Sequence, residues 1–325
     1  MNIEMIVQNT NSGKAYDVSD LISDIEFNQE MEENPGKLTF TLQNVLDGDY
    51  ISEGSPVSLK INTNKIFFGY IFKIGKNDKK EVKVTAYDQL RYLKYKDTYV
   101  LKSLTCSQIF KKICTDYNIN HKVKHTSNHV LPAKIEDNKN IGEIIQRAFD
   151  QTLIDTGDWF FMRDNFGTLE QLNVWEEKTT LAIGDESLLN SYDYELSIDD
   201  ETYNQVKLVK ENKKTKKREI YIVKDSKNIN KWGLLQYFDK VNEKMNEAQI
   251  KERAEMLLKH YNKPKKSLKL ECIGDFRVKA GCGVVLVISD LKNDVPFNKY
   301  VIVRSVSHKI ENNNHTMSIE VEVVQ

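Results

Sequence analysis

Three histidines, His121, His125 and His129, recur every four residues in "NHKVKHTSNH", the closest approach to a metal-ligand pattern in this 325-residue chain. On a helix that spacing stacks imidazoles along one face and suits zinc or nickel. The flanking residues oppose a helix. Asn118 and Asn120 stand upstream, "INHKVKH" alternates as a strand does, and Pro132 follows Thr126-Ser127-Asn128. In extended form the three rings converge only if the loop folds back, so they are metal candidates expected to be ordinary solvated residues. No cofactor is expected. A second pair, His308 and His315, lies in "VIVRSVSHKIENNNHTMSIEVEVV". Two alternating stretches there flank "ENNN", and Asn tolerates the positive φ of tight turns. The pair reads as cross-strand neighbours beside a hairpin turn, and neither histidine is expected to matter for assembly.

Catalytic patterns are absent from the sequence: there is no G-x-S-x-G, H-E-x-x-H, G-x-x-x-x-G-K-[ST] or G-x-G-x-x-G. "GCGVV" leads into a strand and not a helix, which disfavours a phosphate cradle. Acidic residues cluster in "DYELSIDDE", but the spacing of a glycosidase pair is spatial and cannot be read from the chain. Cys106 and Cys114 precede the histidine segment and raise a Cys/His couple, as a cell-wall hydrolase would need. Eight helical residues set them about 80° apart around the axis. Ile109, Phe110 and Ile113 share their side, which predicts burial. The four cysteines (Cys106, Cys114, Cys272 and Cys282) include no C-x-x-C and read as reduced structural thiols. No catalytic residue is assigned.

The elements that would position these residues change character along the chain. Residues 1–95 read as strands: "KLTFTLQNV" alternates Leu38, Phe40 and Leu42, and "SPVSLKIN", "KIFFGYIFKIGK" and "EVKVTAYDQL" follow. Short strands at this spacing suggest a barrel or sandwich, with Gly69 marking a bulge or sharp bend. Residues 96–190 read as an α/β unit. One helix lies in "SLTCSQIFKKICTDYNI", capped by Ser103 or Thr105. A second begins at "NIGEIIQRAFDQTL", where Asn140 and Glu143 resemble a capping box. A hairpin then turns at Asp164-Asn165-Phe166-Gly167. Residues 191–325 return to strands, with one helix at about 247–261 that starts at Asn246 with Gln249 as its box partner. The chain is therefore expected to be α+β and mainly β, two β domains flanking an α/β domain.

Composition agrees with a globular protein: 40% of residues are hydrophobic and 29% charged. The apolar run "VVLVI" (Val284 to Ile288) is too short to cross a bilayer, and the N-terminus lacks the pattern of an export signal. The formal net charge of −1 hides an asymmetry. Residues 1–95 carry 11 Lys/Arg against 14 Asp/Glu, and residues 205–270 carry 19 against 8, net +11. Such a segment could meet nucleic acid or an acidic protein. Much of its charge lies in "VKENKKTKKREIYIVK", between two alternating stretches (Val206, Leu208; Ile220, Ile222), and reads as a hairpin with a solvated tip.

Taken in order, the strand motifs resemble a family. "FFGYIFKI" then "VTAYDQLRYLKYK", "NIGEIIQRAFDQT…DWFFMRDNFGTLEQL", "YNQVKLV", "AEMLLKHYNKPKKSLKLECIGDFRVKAGCGVVL" and the terminal "KYVIVRSVSHKIENNNHTMSIEV" are similar to the baseplate hub proteins of phage tails. Within that family the chain resembles the XkdQ-like type of PBSX prophages. The resemblance implies two tube-like β-barrel domains, 1–95 and 191–325, around the insert, and a structural, non-enzymatic role. It implies a homotrimer whose six barrels adapt a sixfold tail tube to a threefold central spike. The implied partners are the tail tube protein or tube initiator, the spike, other baseplate proteins and the tape-measure protein, with neither membrane nor specific nucleic-acid recognition. Synthesis in the bacterial cytoplasm and assembly into a virion or a tail-like bacteriocin particle would follow. A tail-associated peptidoglycan hydrolase and a nucleic-acid binder using residues 205–270 are the competing readings.

Overall fold

The computed structural model describes all residues except 44–50, 200, 213–216, 242, 244 and 323–325. The chain forms two compact units, Met1–Asp193 with Leu268–Gln325, and Tyr194–Ser267.

The first unit opens with β1 (Ile3–Gln8), β2 (Ala15–Asp17), β3 (Ile22–Glu30), β4 (Lys37–Leu42), β5 (Pro56–Ile61), β6 (Asn64–Lys76) and β7 (Val82–Tyr87). Alternation decides which face each strand buries. Met5 and Val7, Leu38, Phe40 and Leu42, Val57, Leu59 and Ile61, and Val84 and Ala86 all point into one core. Each large apolar side chain buried there contributes roughly 1.5–3 kcal/mol relative to exposure. Gly69 is not itself the bulge. The register of β6 shifts on either side of it, between Leu59 and Lys60 of β5 and between Ile71 and Lys73. Gly69 serves a close approach instead: a Cβ there would strike the Tyr87 carbonyl and the Phe67 ring.

The α/β segment contains β8 (Lys96–Leu101), α1 (Cys106–Asp116), β9 (His121–Val123), β10 (Lys134–Asn140), α2 (Ile141–Thr156), β11 (Phe160–Asp164) and β12 (Leu169–Asn173). Thr105 caps α1 in a full box with Gln108. Asn140 precedes α2 but makes no side-chain cap. Its expected box partner Glu143 pairs with Arg147 and Lys139 instead, because a cation one turn away competes for the carboxylate. The two helices bury Ile109, Phe110, Ile113, Ile144, Ile145 and Phe149 against β11 and β12 in a core of their own. Phe161 and Leu172 turn the other way and pack with Ala280 and Ile302.

Next come β13 (Lys178–Gly184) and β14 (Leu189–Ser197). Then follow β15 (Gln205–Asn212), β16 (Lys217–Lys224), α3 (Ser226–Trp232), β17 (Gln236–Val241) and α4 (Glu247–Tyr261). The last strands are β18 (Lys265–Ile273), β19 (Gly283–Val287), β20 (Lys299–Glu311) and β21 (Asn314–Glu322). The Asn246–Gln249 box opens α4 as the sequence suggests. In the second unit the order is β16-β15-β17, with α4 covering Val206, Leu208, Tyr221, Val223 and Tyr237. The basic hairpin is β15–β16, and its tip, residues 213–216, lies outside the described residues.

The fold is mainly β, but among the described residues the strands do not close into barrels. They run in one open sheet, β14-β18-β21-β20-β3-β4-β7-β6-β5-β1-β2, with β13 and β19 branching from β20. Two separate closed barrels are not seen among the described residues, and β3 and β20 join the strands expected in each. These strands come from opposite ends of the chain and hydrogen-bond to each other, from Ser305↔Glu30 to Glu311↔Asp24. Ile310 of β20 completes the core of the N-terminal strands. Residues 194–267, expected within the last β domain, form the second unit.

Candidate functional site

The joint between the two ends of the chain is made by β20, a 13-residue strand. Along one flank it pairs with β21. Along the other it pairs first with β19, through residues 299–302, and then with β3, through residues 305–311. The changeover falls at Val303 and Arg304, where the β21 register shifts, so Arg304 is the extra residue of a bulge. The Arg304 carbonyl accepts the Met31 N–H at 2.8 Å. Its guanidinium pairs with Glu322 at 3.0 Å and with Glu32, whose backbone lies at φ 76°. Val303 bonds back to Gly281 and Cys282 on the same flank. One strand thereby holds two sheet segments end to end. The sequence contained a signal, an arginine inside the apolar run "YVIVRSV", but periodicity alone gave it no role.

Four residues further along β20 is His308, which is 2% exposed. The hairpin expected at "ENNN" is present, with Asn312 and Asn313 both at positive φ. The register places His308 opposite Met317 and His315 opposite Ile310, so the histidines are diagonal neighbours. His308 Nδ1 lies 3.1 Å from His315 Nε2, and His308 Nε2 lies 3.1 Å from the Val278 carbonyl. A carbonyl only accepts, so His308 carries its proton on Nε2 and receives the His315 Nε2–H at Nδ1. Phe276 stacks on His315 with ring centroids 4.0 Å apart, and Phe27 lies parallel to the His308 ring at 6.4 Å. Gly274 leaves the space that the His315 ring fills. Burial, assisted by His315, pushes His308 down to about 4, and burial lowers His315 as well. Both rings are neutral at pH 7. The sequence reading missed the burial of His308 because the turn beside it is polar.

The three spaced histidines are engaged separately. His121 lies in β9 with Nδ1 2.8 Å from the Ile119 carbonyl, and His129 Nε2 sits 2.8 Å from Asp155. The His125 carbonyl accepts from Gln171. Among the described residues no group of three or more His, Cys, Asp or Glu side chains could hold a metal ion. Cys106 and Cys114 are buried in the helical core, and burial pushes the Cys114 thiol up to about 12, which suppresses the thiolate.

A buried carboxylate pair escaped the sequence reading. Asp88 accepts the N–H groups of Gly36 at 2.8 Å and Leu90 at 3.0 Å. Asp164 accepts the Gly167 N–H at 2.8 Å and the Gln89 amide at 3.4 Å. Burial raises both, Asp164 to about 6, and the Asp164 charge raises Asp88 further. The pair ties the end of β7 to the β11–β12 turn. Its groups are spoken for by backbone donors and the Gln89 amide, a structural arrangement.

Comparison with known proteins matches this architecture along its length. The family model described as YQBQ-like covers residues 25–322. The chain is 29% identical over 275 residues to the phage-like element PBSX protein XkdQ of Bacillus subtilis, spanning 83% of this chain and 82% of that protein. Among solved structures it shares the fold of a 43 kDa tail protein of a Shewanella oneidensis prophage, with a TM-score of 0.71 at 14% identity over 98% of both chains. It also shares that of the tail protein of Neisseria meningitidis, at 0.73 and 11% identity over 99% and 97%. With a family model that matches almost its full length, the chain belongs to the YQBQ-like family.

Proposed function

We propose that the chain is a structural baseplate hub of a phage or phage-tail-like contractile particle. Three copies form a ring that adapts the sixfold tail tube to the threefold spike. The observation that carries this reading is the open sheet. Strands of residues 1–95 and 191–325 join through β3 and β20, and the strand order ends at β2 and β14 without a closing pair among the described residues. An open sheet exposes unpaired backbone groups at its edges, and pairing with further copies in a closed ring satisfies them. The two segments then act as tube-like domains, completed as barrels in the assembly, around the 96–190 insert. The similarity to a phage-like element protein and the fold shared with two tail proteins support a place in the tail.

The role is structural and not enzymatic. The cysteines are buried, and the rings of His121 and His129 bond to separate partners. Image reconstruction of purified particles tests the proposal. Three copies at the base of the tube are expected. Six copies, or particles that assemble without the chain, would overturn it.

A further inference from the structure

Val206 and Leu208 on β15, and Ile220 and Ile222 on β16, are the alternating apolar positions of the basic hairpin. The register separates them. Val206 faces Val223 and Leu208 faces Tyr221 under α4, whereas Val209 faces Ile220 and Lys207 faces Ile222 on the opposite side. Phe238 of β17 joins that outer face beside Lys207. Ile220, Ile222 and Phe238 are 54%, 51% and 51% exposed. The run Ile220-Tyr221-Ile222-Val223 is thus apolar on both faces. That is the composition of a strand covered on both sides and not of one with a solvated face. α4 covers one face; on the other Val209 is buried between its neighbours, and Ile220, Ile222 and Phe238 remain exposed.

The surround of this outer face is mostly basic. Lys207, Lys224, Arg218 and Lys240 fall on it by register, against Glu211, which Arg218 and Lys240 already share at 3.1 and 3.3 Å. We propose that this face docks an acidic, amphipathic helix of another tail protein, mirroring α4 across the sheet. The apolar centre fits a stripe at i, i+4 and i+7, and the lysines on either side fit carboxylates flanking it. Nucleic acid fits less well. Single strands bind sheet faces by stacking bases on aromatic rings, and two of the three exposed central side chains here are isoleucines.

The inference rests on the chain being a tail component, and the test separates the two. Phe238 is replaced by photoreactive p-benzoyl-phenylalanine in the full chain, particles are assembled and purified, and crosslinked peptides are identified by mass spectrometry. The expected result is one crosslink to another tail protein, in an acidic segment with helical apolar spacing. Adding Ile222→Lys should lower its yield about tenfold while leaving the circular dichroism and melting of the chain unchanged. A crosslink to a second copy of this chain or to DNA would overturn the proposal, as would an incorporated chain that gives no crosslink. Particles that exclude the chain would overturn the hub reading itself.

Discussion

Replacing His308 with Gln separates a buried histidine from a solvated one by the sign of a pH effect. The Gln amide can still donate to the Val278 carbonyl, so no buried acceptor is stranded, but the ring between Phe27 and Phe276 is lost. At pH 7 that should cost about 1–2 kcal/mol. The titration works the other way. His308 titrates at about 4 when folded against an ordinary 6.5, because burial disfavours the charged ring. Its neutral form is compatible with the fold at all pH values above 6.5. As pH falls from 6.5 toward 4 the unfolded chain takes up a proton that the folded chain refuses, and stability is lost. A difference of about 2.5 pH units amounts to roughly 3 kcal/mol by pH 4. Gln does not titrate, so the variant escapes this loss. His315 shares the direction of the shift and is present in both proteins, as are Asp275 and Lys279 beside the ring. The two stability curves should therefore cross between about pH 5 and 6, with wild type the more stable above and the variant below. Calorimetric melting reads this directly: for a unit of about 250 residues each kcal/mol moves Tm by roughly 2–4 °C. Parallel Tm curves between pH 4 and 8 would refute the burial of His308 and the tautomer assigned to it.

Asp164 should give the opposite slope, since its folded value is raised to about 6 by burial. Its stability contribution is complete below pH 3.8 and lost as pH rises to 6. Asp164→Asn, which keeps the acceptor for Gly167, should flatten stability over that window by roughly 3 kcal/mol, again by calorimetry. Gly69→Ala should destabilise by about 2 kcal/mol or more, because its methyl meets the Tyr87 backbone, which cannot move aside as a flexible side chain would, as well as the buried Phe67 ring; an unchanged denaturation midpoint would refute the close approach. Arg304→Met should cost no more than about 1 kcal/mol, since Arg304 and its partners Glu32 and Glu322 are all roughly 40% exposed and the backbone pairing of the bulge survives.

Local signals carried far in this chain. The 3.6-residue period and the Asn246–Gln249 box placed α4, Thr105 started α1, and two asparagines at positive φ built the last turn. Each depends on residues within a turn or two of one another, so the chain itself states them. The Asn140–Glu143 box failed for a reason of the same range: Arg147 and Lys139 offered the carboxylate a charged partner.

The sequence by itself determined a mainly β chain, the kinds of its elements and the absence of the four catalytic and phosphate-binding patterns named above. The tertiary structure decided three things that no local pattern contains. It paired β3 with β20 across almost the whole chain, so the ends share one sheet and Ile310 fills a core made by the first 90 residues. It buried His308 and the Asp88–Asp164 pair, whose polar side chains read as solvated until their distant partners are in place. It put Ile220 and Ile222 on the face opposite Leu208. A period of two tells which residues share a face, but both strands of a hairpin satisfy it in either register. Only contact with α4 selects which set is buried.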